Sequence, residues 1–264
     1  FNIYVMLKRF ESFNDDKDKI IRTLDSLGIH GGYNITKDLT VDVYNYNGVY
    51  VRNKFSDGKL PLKFNKVSKW FVLQNNNITT LEGCPNEVGL GFSCTDNLIT
   101  SLEGCPTITN KSSFSCLNNK LTSMKGCPNE VEQMIFNDNN LTSLKFSPEI
   151  VNDRFSCMRN KLTSLEFGPK RVKGDYSVSY NDIYNLDGFE CDFGGEFSGQ
   201  GNPLNKVFPL DGLDCTDLKA LKTYKVVTER KVNWKRLEYL YHQFNIEVPD
   251  ELQLELSILG YEII

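Results

Sequence analysis

Thiols and carboxylates are the side chains whose spacing invites a reaction here. Cysteine stands two residues before aspartate twice, in Cys94-Thr95-Asp96 and in Cys215-Thr216-Asp217, and the chain holds eight cysteines. A cysteine nucleophile needs a base or a cation beside it to hold the thiolate. His30 and His242 are the only histidines, and neither stands near a triplet in the sequence. A structural zinc site would show closely paired cysteines, and no Cys-x-x-Cys occurs. No catalytic set, metal or cofactor is expected. The cysteines fall instead into columns: Cys84, Cys105 and Cys127 share one repeat position, Cys94, Cys116 and Cys157 another, and Cys191 and Cys215 stand alone. Columns of this kind read as small buried apolar residues in a reducing compartment.

Charge points to no obvious partner. The net charge is −4, which gives no global pull toward nucleic acid or an anionic membrane. One local run is basic: Lys219, Lys222, Lys225, Arg230, Lys231, Lys235 and Arg236 face Glu229 alone. Without a stacking platform or a nucleic-acid motif it reads as a solvated helix face, so a nucleic-acid partner is not expected. No apolar run approaches the ~18 residues that span a bilayer. Phe1 to Leu7 are apolar, but Lys8, Arg9 and Glu11 follow with no small-residue cleavage site, the wrong order for a secretory signal. Met6 is a candidate natural start.

What positions these side chains is a repeat. Asn97-Leu98-Ile99-Thr100-Ser101-Leu102-Glu103-Gly104-Cys105-Pro106 returns, with small edits, as Asn119 to Pro128. The asparagines that mark it are Asn76, Asn97, Asn119, Asn139, Asn160, Asn181 and Asn202, at intervals of 21, 22, 20, 21, 21 and 21 residues. Five residues before each lies Phe71, Phe92, Phe114, Met134, Phe155, Tyr176 or Phe197. Three before lies Leu73, Cys94, Cys116, Phe136, Cys157, Val178 or Gly199. Branched or straight aliphatics stand two and five residues after. The alternation of Phe-x-Cys predicts a short strand with every second residue inward, and successive repeats should pair as a parallel ladder. An inward Asn has both donors and an acceptor for the backbone that the following turn buries. Leaving one such group unpaired costs ~1–3 kcal/mol, reason enough for one Asn per repeat. Pro and the short unit exclude a long helix on the Gly-Cys-Pro side, so that side should be extended or polyproline-like.

Written out, the unit is Φ-x-Φ-x-x-N-x-L-x-x-L, and this resembles the leucine-rich repeat. The short unit, with Thr-Ser-Leu and a following Pro, resembles bacterial and phage-type repeats most. Seven units match over about residues 48–208, with Phe and Cys where Leu is usual. The resemblance implies a solenoid whose curved face, eight strands at ~4.8 Å, would run roughly 35 Å. The expected fold is therefore a leucine-rich-repeat solenoid, mainly β, with a parallel ladder and a short extended convex side. Residues 1–47 should form a helix-plus-hairpin cap, 48–208 the array, and 209–264 a helical C-terminal cap. In the first cap, Asn14 should start a helix with Ile20, Ile21, Leu24 and Leu27 on one face and Gly28 at its end, and Lys37-Asp38 should turn a hairpin. In the last, helices should start near Asp214 or Thr216, at Asn233 and near Pro249.

The outward strand positions carry the candidate site. A serine column (Ser93, Ser115, Ser156, Ser177 and Ser198) is flanked by Trp70, Gln133, Arg154, Met158, Asp175 and Glu196, the distinctive contacts for a partner on that face. The expected function is a non-enzymatic, intracellular module that binds a protein. Its location is expected in the cytoplasm, or in the virion if phage-encoded. An alternative is a virion or assembly component of a tailed phage, because Met6 to Phe13 resembles short amphipathic openings of such proteins. A further alternative is a cysteine-dependent effector, because Cys215-Thr216-Asp217 resembles the triplet of bacterial leucine-rich-repeat ubiquitin ligases. The roughly 55 residues after the array are short for that domain.

Overall fold

A computed structural model describes residues 3–55, 57–110 and 112–264, with backbone alone for residues 3–7 and 10. The side chains of Met6, Leu7 and Phe10 in the Met6–Phe13 opening, and the start at Met6, therefore lie outside the described residues. The chain divides into two compact units, residues 1–113 and 114–264. No described helix is long and apolar enough to cross a membrane.

The first unit opens with helix α1, Ile3–Ser26. It begins well before Asn14, which lies inside the helix and caps nothing. No Gly or Pro interrupts residues 3–26, so nothing stops the helix from extending toward the N-terminus. Its end is as expected from Gly28, whose φ is 82°. Ile29 N donates to Leu24 O at 2.9 Å and Gly28 N to Asp25 O at 3.0 Å, the paired bonds of a Schellman end. Ile20, Leu24 and Leu27 are buried, and Ile21 only half so. Strand Tyr33–Ile35 then pairs antiparallel with Val41–Val43. Leu39 takes φ 58° in the connecting turn.

Both units are stretches of parallel β-solenoid with the expected spacing near 21 residues. Each coil contributes two short strands, so two ladders run through each unit where the repeat pattern predicts one. In the first unit, Val49–Arg52, Phe71–Gln74 and Phe92–Ser93 form the inner ladder, with Val49 beside Phe71 and Phe71 beside Phe92. Val41–Val43, Phe64–Val67, Glu87–Val88 and Thr107–Ile108 form the outer one. In the second unit the inner ladder is Phe114–Ser115, Met134–Ile135, Phe155–Ser156, Tyr176–Ser177 and Phe197–Ser198. The outer is Glu130–Val131, Ile150–Val151, Arg171–Val172 and Asp192–Phe193. The segment after each Pro is extended, as expected, but hydrogen-bonded to its neighbours. Its buried column of Val67, Val88, Val131, Val151 and Val172 anchors each extended segment in the same register, and in-register backbone pairs.

Aromatic rings stack along the inner ladders. Phe71 and Phe92 lie 6.2 Å apart in the first unit, and Tyr176 lies 4.8 Å from Phe155 and 5.7 Å from Phe197 in the second. The coil holding Met134 and Phe136 reverses the usual large-then-small order, and Phe136 packs on Phe114 at 5.3 Å. The buried asparagine side chains bond backbone groups. Asn160 reaches back to the coil before it, where its Oδ1 accepts from Leu141 N at 2.9 Å and its Nδ2 donates to Phe136 O at 3.0 Å, and it also donates to Cys157 O of its own coil at 3.2 Å. Asn97 does the same for Asn76 N, Ile78 N and Leu73 O.

Six coils then make a tight turn in which an N–H reaches back three residues, as from Cys105 to Leu102 O at 2.9 Å. The third residue of that turn has positive φ in all six cases: Gly83, Gly104, Gly126, Phe146, Phe167 and Gly188. Such a turn asks for glycine. A side chain there costs about 1–2 kcal/mol of left-handed strain, so Phe146 (φ 71°) and Phe167 (φ 64°) are held against local preference.

The second unit ends in four helices: α2 (Pro203–Val207), α3 (Cys215–Tyr224), α4 (Trp234–Gln243) and α5 (Leu252–Ile258). Asp214 caps α3 through Thr216 N and Asp217 N, and Asn233 caps α4 through Arg236 N at 3.1 Å. The region is not the purely helical cap expected from the sequence. Val227–Thr228, Lys231–Val232 and Glu262–Ile263 form a small sheet, whose strands are too short to leave a period. The loop before α3 closes the last inner strand. Phe197 N donates to Leu213 O at 3.0 Å, and Asp211 Oδ1 accepts from Gly199 N at 3.0 Å and Gln200 N at 3.1 Å.

Candidate interaction surface

The inner ladder of the second unit carries five of the six predicted contact residues, and most of them engage one another. Arg154 Nη2 lies 3.2 Å from Asp175 Oδ2, and the other oxygen of Asp175 accepts from Glu196 N at 3.2 Å. Gln133 Nε2 donates to Asp153 Oδ2 at 2.5 Å. Met158 is half-buried, and its N–H donates to Asn137 Oδ1 at 2.9 Å. Ser156 donates to the same oxygen at 2.6 Å and is only 4% exposed. The serine column is therefore a floor beneath longer side chains, with the charged pair standing above it. Arg154 and Asp175 are roughly half exposed, so their attraction fixes geometry more than it stabilises the fold.

Two further residues of this ladder escape a reading by apolar columns. The residue just before each inward Asn has left-handed backbone: Asn75, Asp96, Asn118, Asp138, Arg159, Tyr180 and Gly201. Asn, Asp and Gly tolerate that conformation; Arg and Tyr do so at a cost. The Arg159 guanidinium lies 5.1 Å from the Tyr180 ring centroid. A Cβ at Gly201 would stand 2.5 Å from Tyr180 Cδ1, so glycine is what lets the ring lie there. Tyr180 is 44% exposed. The signal for both residues is the break in the Asn/Asp/Gly column.

Trp70, the sixth predicted contact, belongs to the first unit. Its ring lies over Gly91, where a Cβ would come within 2.3 Å. Beside it, Tyr50 is exposed, and Arg52, Gln74 and Asp96 form a hydrogen-bonded row, with Arg52 Nε 3.0 Å from Gln74 Oε1 and Gln74 Nε2 3.1 Å from Asp96 Oδ2.

The groups that suggested chemistry have structural uses. Cys215 is the first residue of α3, its Sγ donates to Cys191 O at 3.5 Å, and the Asp217 carboxylate accepts from Asp214 N to complete the capping box. Cys94 is fully buried, and Asp96 holds Gln74. Burial pushes the thiols of Cys84, Cys105 and Cys157 well above the usual cysteine range, and burial with Cys215 nearby pushes Cys191 up to about 12. Among the described residues no three His, Cys, Asp or Glu side chains group to hold a metal ion. The basic run is largely used inside the second unit. Lys219 binds Asp192, Lys222 Nζ donates to Phe189 O at 2.6 Å, Arg230 lies 3.4 Å over the Tyr184 ring, and Lys231 pairs with Glu262. Compared with models of known protein families and with curated proteins, the chain matches none.

Proposed function

We propose that this is a non-enzymatic protein-binding module of leucine-rich-repeat type that engages its partner through the exposed face of the inner ladder. The observation that carries the reading is the Arg159–Tyr180 stack. Two residue types that dominate protein interfaces sit exposed, side by side, in backbone that the other coils give to Asn, Asp or Gly. Held by Gly201 on one side and the guanidinium on the other, the Tyr180 ring loses little freedom when a partner arrives. The Arg154–Asp175 pair next to the serine floor would give direction and specificity rather than bulk affinity. The partner is a protein, with neither nucleic acid nor membrane required, and the cytoplasm is its place of action.

The test is affinity capture from a lysate of the source cell. Tyr180→Ala and the paired reversal Arg154→Asp/Asp175→Arg should each lower recovery of a specific protein about tenfold or more while leaving the circular dichroism spectrum unchanged. Equal recovery by wild type and both variants would remove the inner-ladder reading.

A further inference from the structure

Phe146 and Phe167 occupy the left-handed turn position that the other four such turns give to glycine, and both rings face solvent, 50% and 57% exposed. They stand on successive coils joined by Ser147 Oγ, which donates to Phe167 O at 2.9 Å. Strain and exposure together serve neither the core nor solubility, so these rings do not serve the coil that bears them.

Beside Phe167 runs a groove of about 280 Å³. Its floor is apolar, made by Leu165, Pro169 and Cys191, and it is open because Gly168 and Gly188 bring no side chains into it. Coils before this one carry Cys84, Cys105, Cys127 and Ser147 where Gly168 stands. The hydroxyl of Tyr176 takes that space from beneath: a Cβ on Gly168 would lie 2.7 Å from Tyr176 Oη. That hydroxyl is fully buried and has no hydrogen-bond partner. The rim is acidic. Glu166 and Glu190 line the groove, and among the described residues neither is in an ion pair. Lys170, the cation of this rim, is paired with Glu149 at 3.1 Å.

We propose that this groove, with Phe167 as its wall and Phe146 on the preceding coil, docks a segment of a partner protein that presents an apolar side chain next to Lys or Arg. The apolar floor takes the side chain and the unpaired carboxylates take the flanking charge. This surface is separate from the inner-ladder face and stands or falls without it.

The test uses the full chain and three fluorescein-labelled synthetic peptides of equal length: a Leu-Phe core flanked by lysines, the same core flanked by glutamates, and a Ser-Ser core flanked by lysines. The lysine-flanked Leu-Phe peptide should bind, shift the amide signals of Phe167, Gly168 and Gly188, and weaken with salt. Phe167→Gly should raise its Kd about tenfold or more. The same substitution relieves the turn, so Tm should hold or rise by about 2 °C. Tyr180→Ala, on the other face, should leave this binding unchanged. The proposal is overturned if the three peptides bind alike or none moves those signals. It is also overturned if Phe167→Gly lowers Tm without changing Kd, which would make the ring structural. Binding of the chain itself to phosphatidylcholine vesicles, lost in Phe167→Gly, would make the patch a membrane contact and overturn it too.

Discussion

At the scale of single residues, the asparagines and Tyr176 show two opposite ways of burying a polar group. Asn160 is buried because its amide completes four backbone groups on two coils. Asn160→Ala should lower the unfolding free energy by about 3 kcal/mol, since each orphaned group costs ~1–3 kcal/mol. Asn152, half-exposed and bonded to Glu130 at 3.1 Å, serves as the contrast, and its alanine variant should stay within about 0.5 kcal/mol of wild type. Urea denaturation decides, and equal losses at the two sites would refute the role given to the inward column. Tyr176 buries a hydroxyl that completes nothing. Tyr176→Phe should therefore stabilise the protein by about 1 kcal/mol, because a desolvated donor is removed and the ring stays. A loss of stability would mean that the hydroxyl has a partner. Burial pushes its ionisation far above the ordinary tyrosine range, so no phenolate forms there near neutral pH.

At the scale of elements, helix α3 is tied to the outer ladder by Lys219 and Asp192. The hydrogen bond from Lys219, and then its charge, hold the Asp192 carboxyl below its ordinary value of 3.8. A carboxyl depressed in the folded state adds stability above its unfolded value and loses it as pH falls through the folded one. Lys219 is raised by the same bond, so its share is present below 10.5 and lost at higher pH. The tie should hold through neutral pH and loosen below about pH 4. An Ala220 methyl signal followed by NMR should report that loosening, and Asp192→Asn should abolish the pH dependence. An unchanged acid profile in that variant would show that some other group docks the helix. Much of this level was hard to read in advance. A coil repeated many times writes the same demand in the same column, which is why the inward Phe, Asn and Leu positions are plain in the sequence. Helix ends announced by Asp214, Asn233 and Gly28 are plain for the same reason, since each has a local cause. The small sheet of Val227–Thr228, Lys231–Val232 and Glu262–Ile263 is written once and in pairs of residues, too little to set a period. The outer ladder left a valine column that passes for loop when only the Asn register is followed.

At the scale of the whole molecule, the residues proposed for recognition are those that depart from the repeat, and they depart in two ways. Arg154 and Asp175 change the chemistry of a position that faces outward in every coil, and the sequence reveals them at once. Arg159, Tyr180, Phe146 and Phe167 change positions whose demand is on the backbone, namely positive φ. Hydrophobicity does not record that demand. Lys145-Phe146-Ser147-Pro148 set beside Glu103-Gly104-Cys105-Pro106 shows it only when glycine is read as a conformation. Asp211 carries a different consequence. By accepting from Gly199 N and Gln200 N it covers backbone donors at the final inner strand of the second unit. The strand that best fits those donors is one from another copy of the same chain, already shaped to the same pitch. Asp211→Ala should therefore convert a finished end into a seed, with light scattering rising after a concentration-dependent lag while far-ultraviolet dichroism of fresh protein stays native. Clear solutions over days at high concentration would refute it. On this view the Asp211 carboxylate, beside the Leu213 carbonyl that takes Phe197 N, sets where growth stops, and with it the difference between a molecule and a fibre.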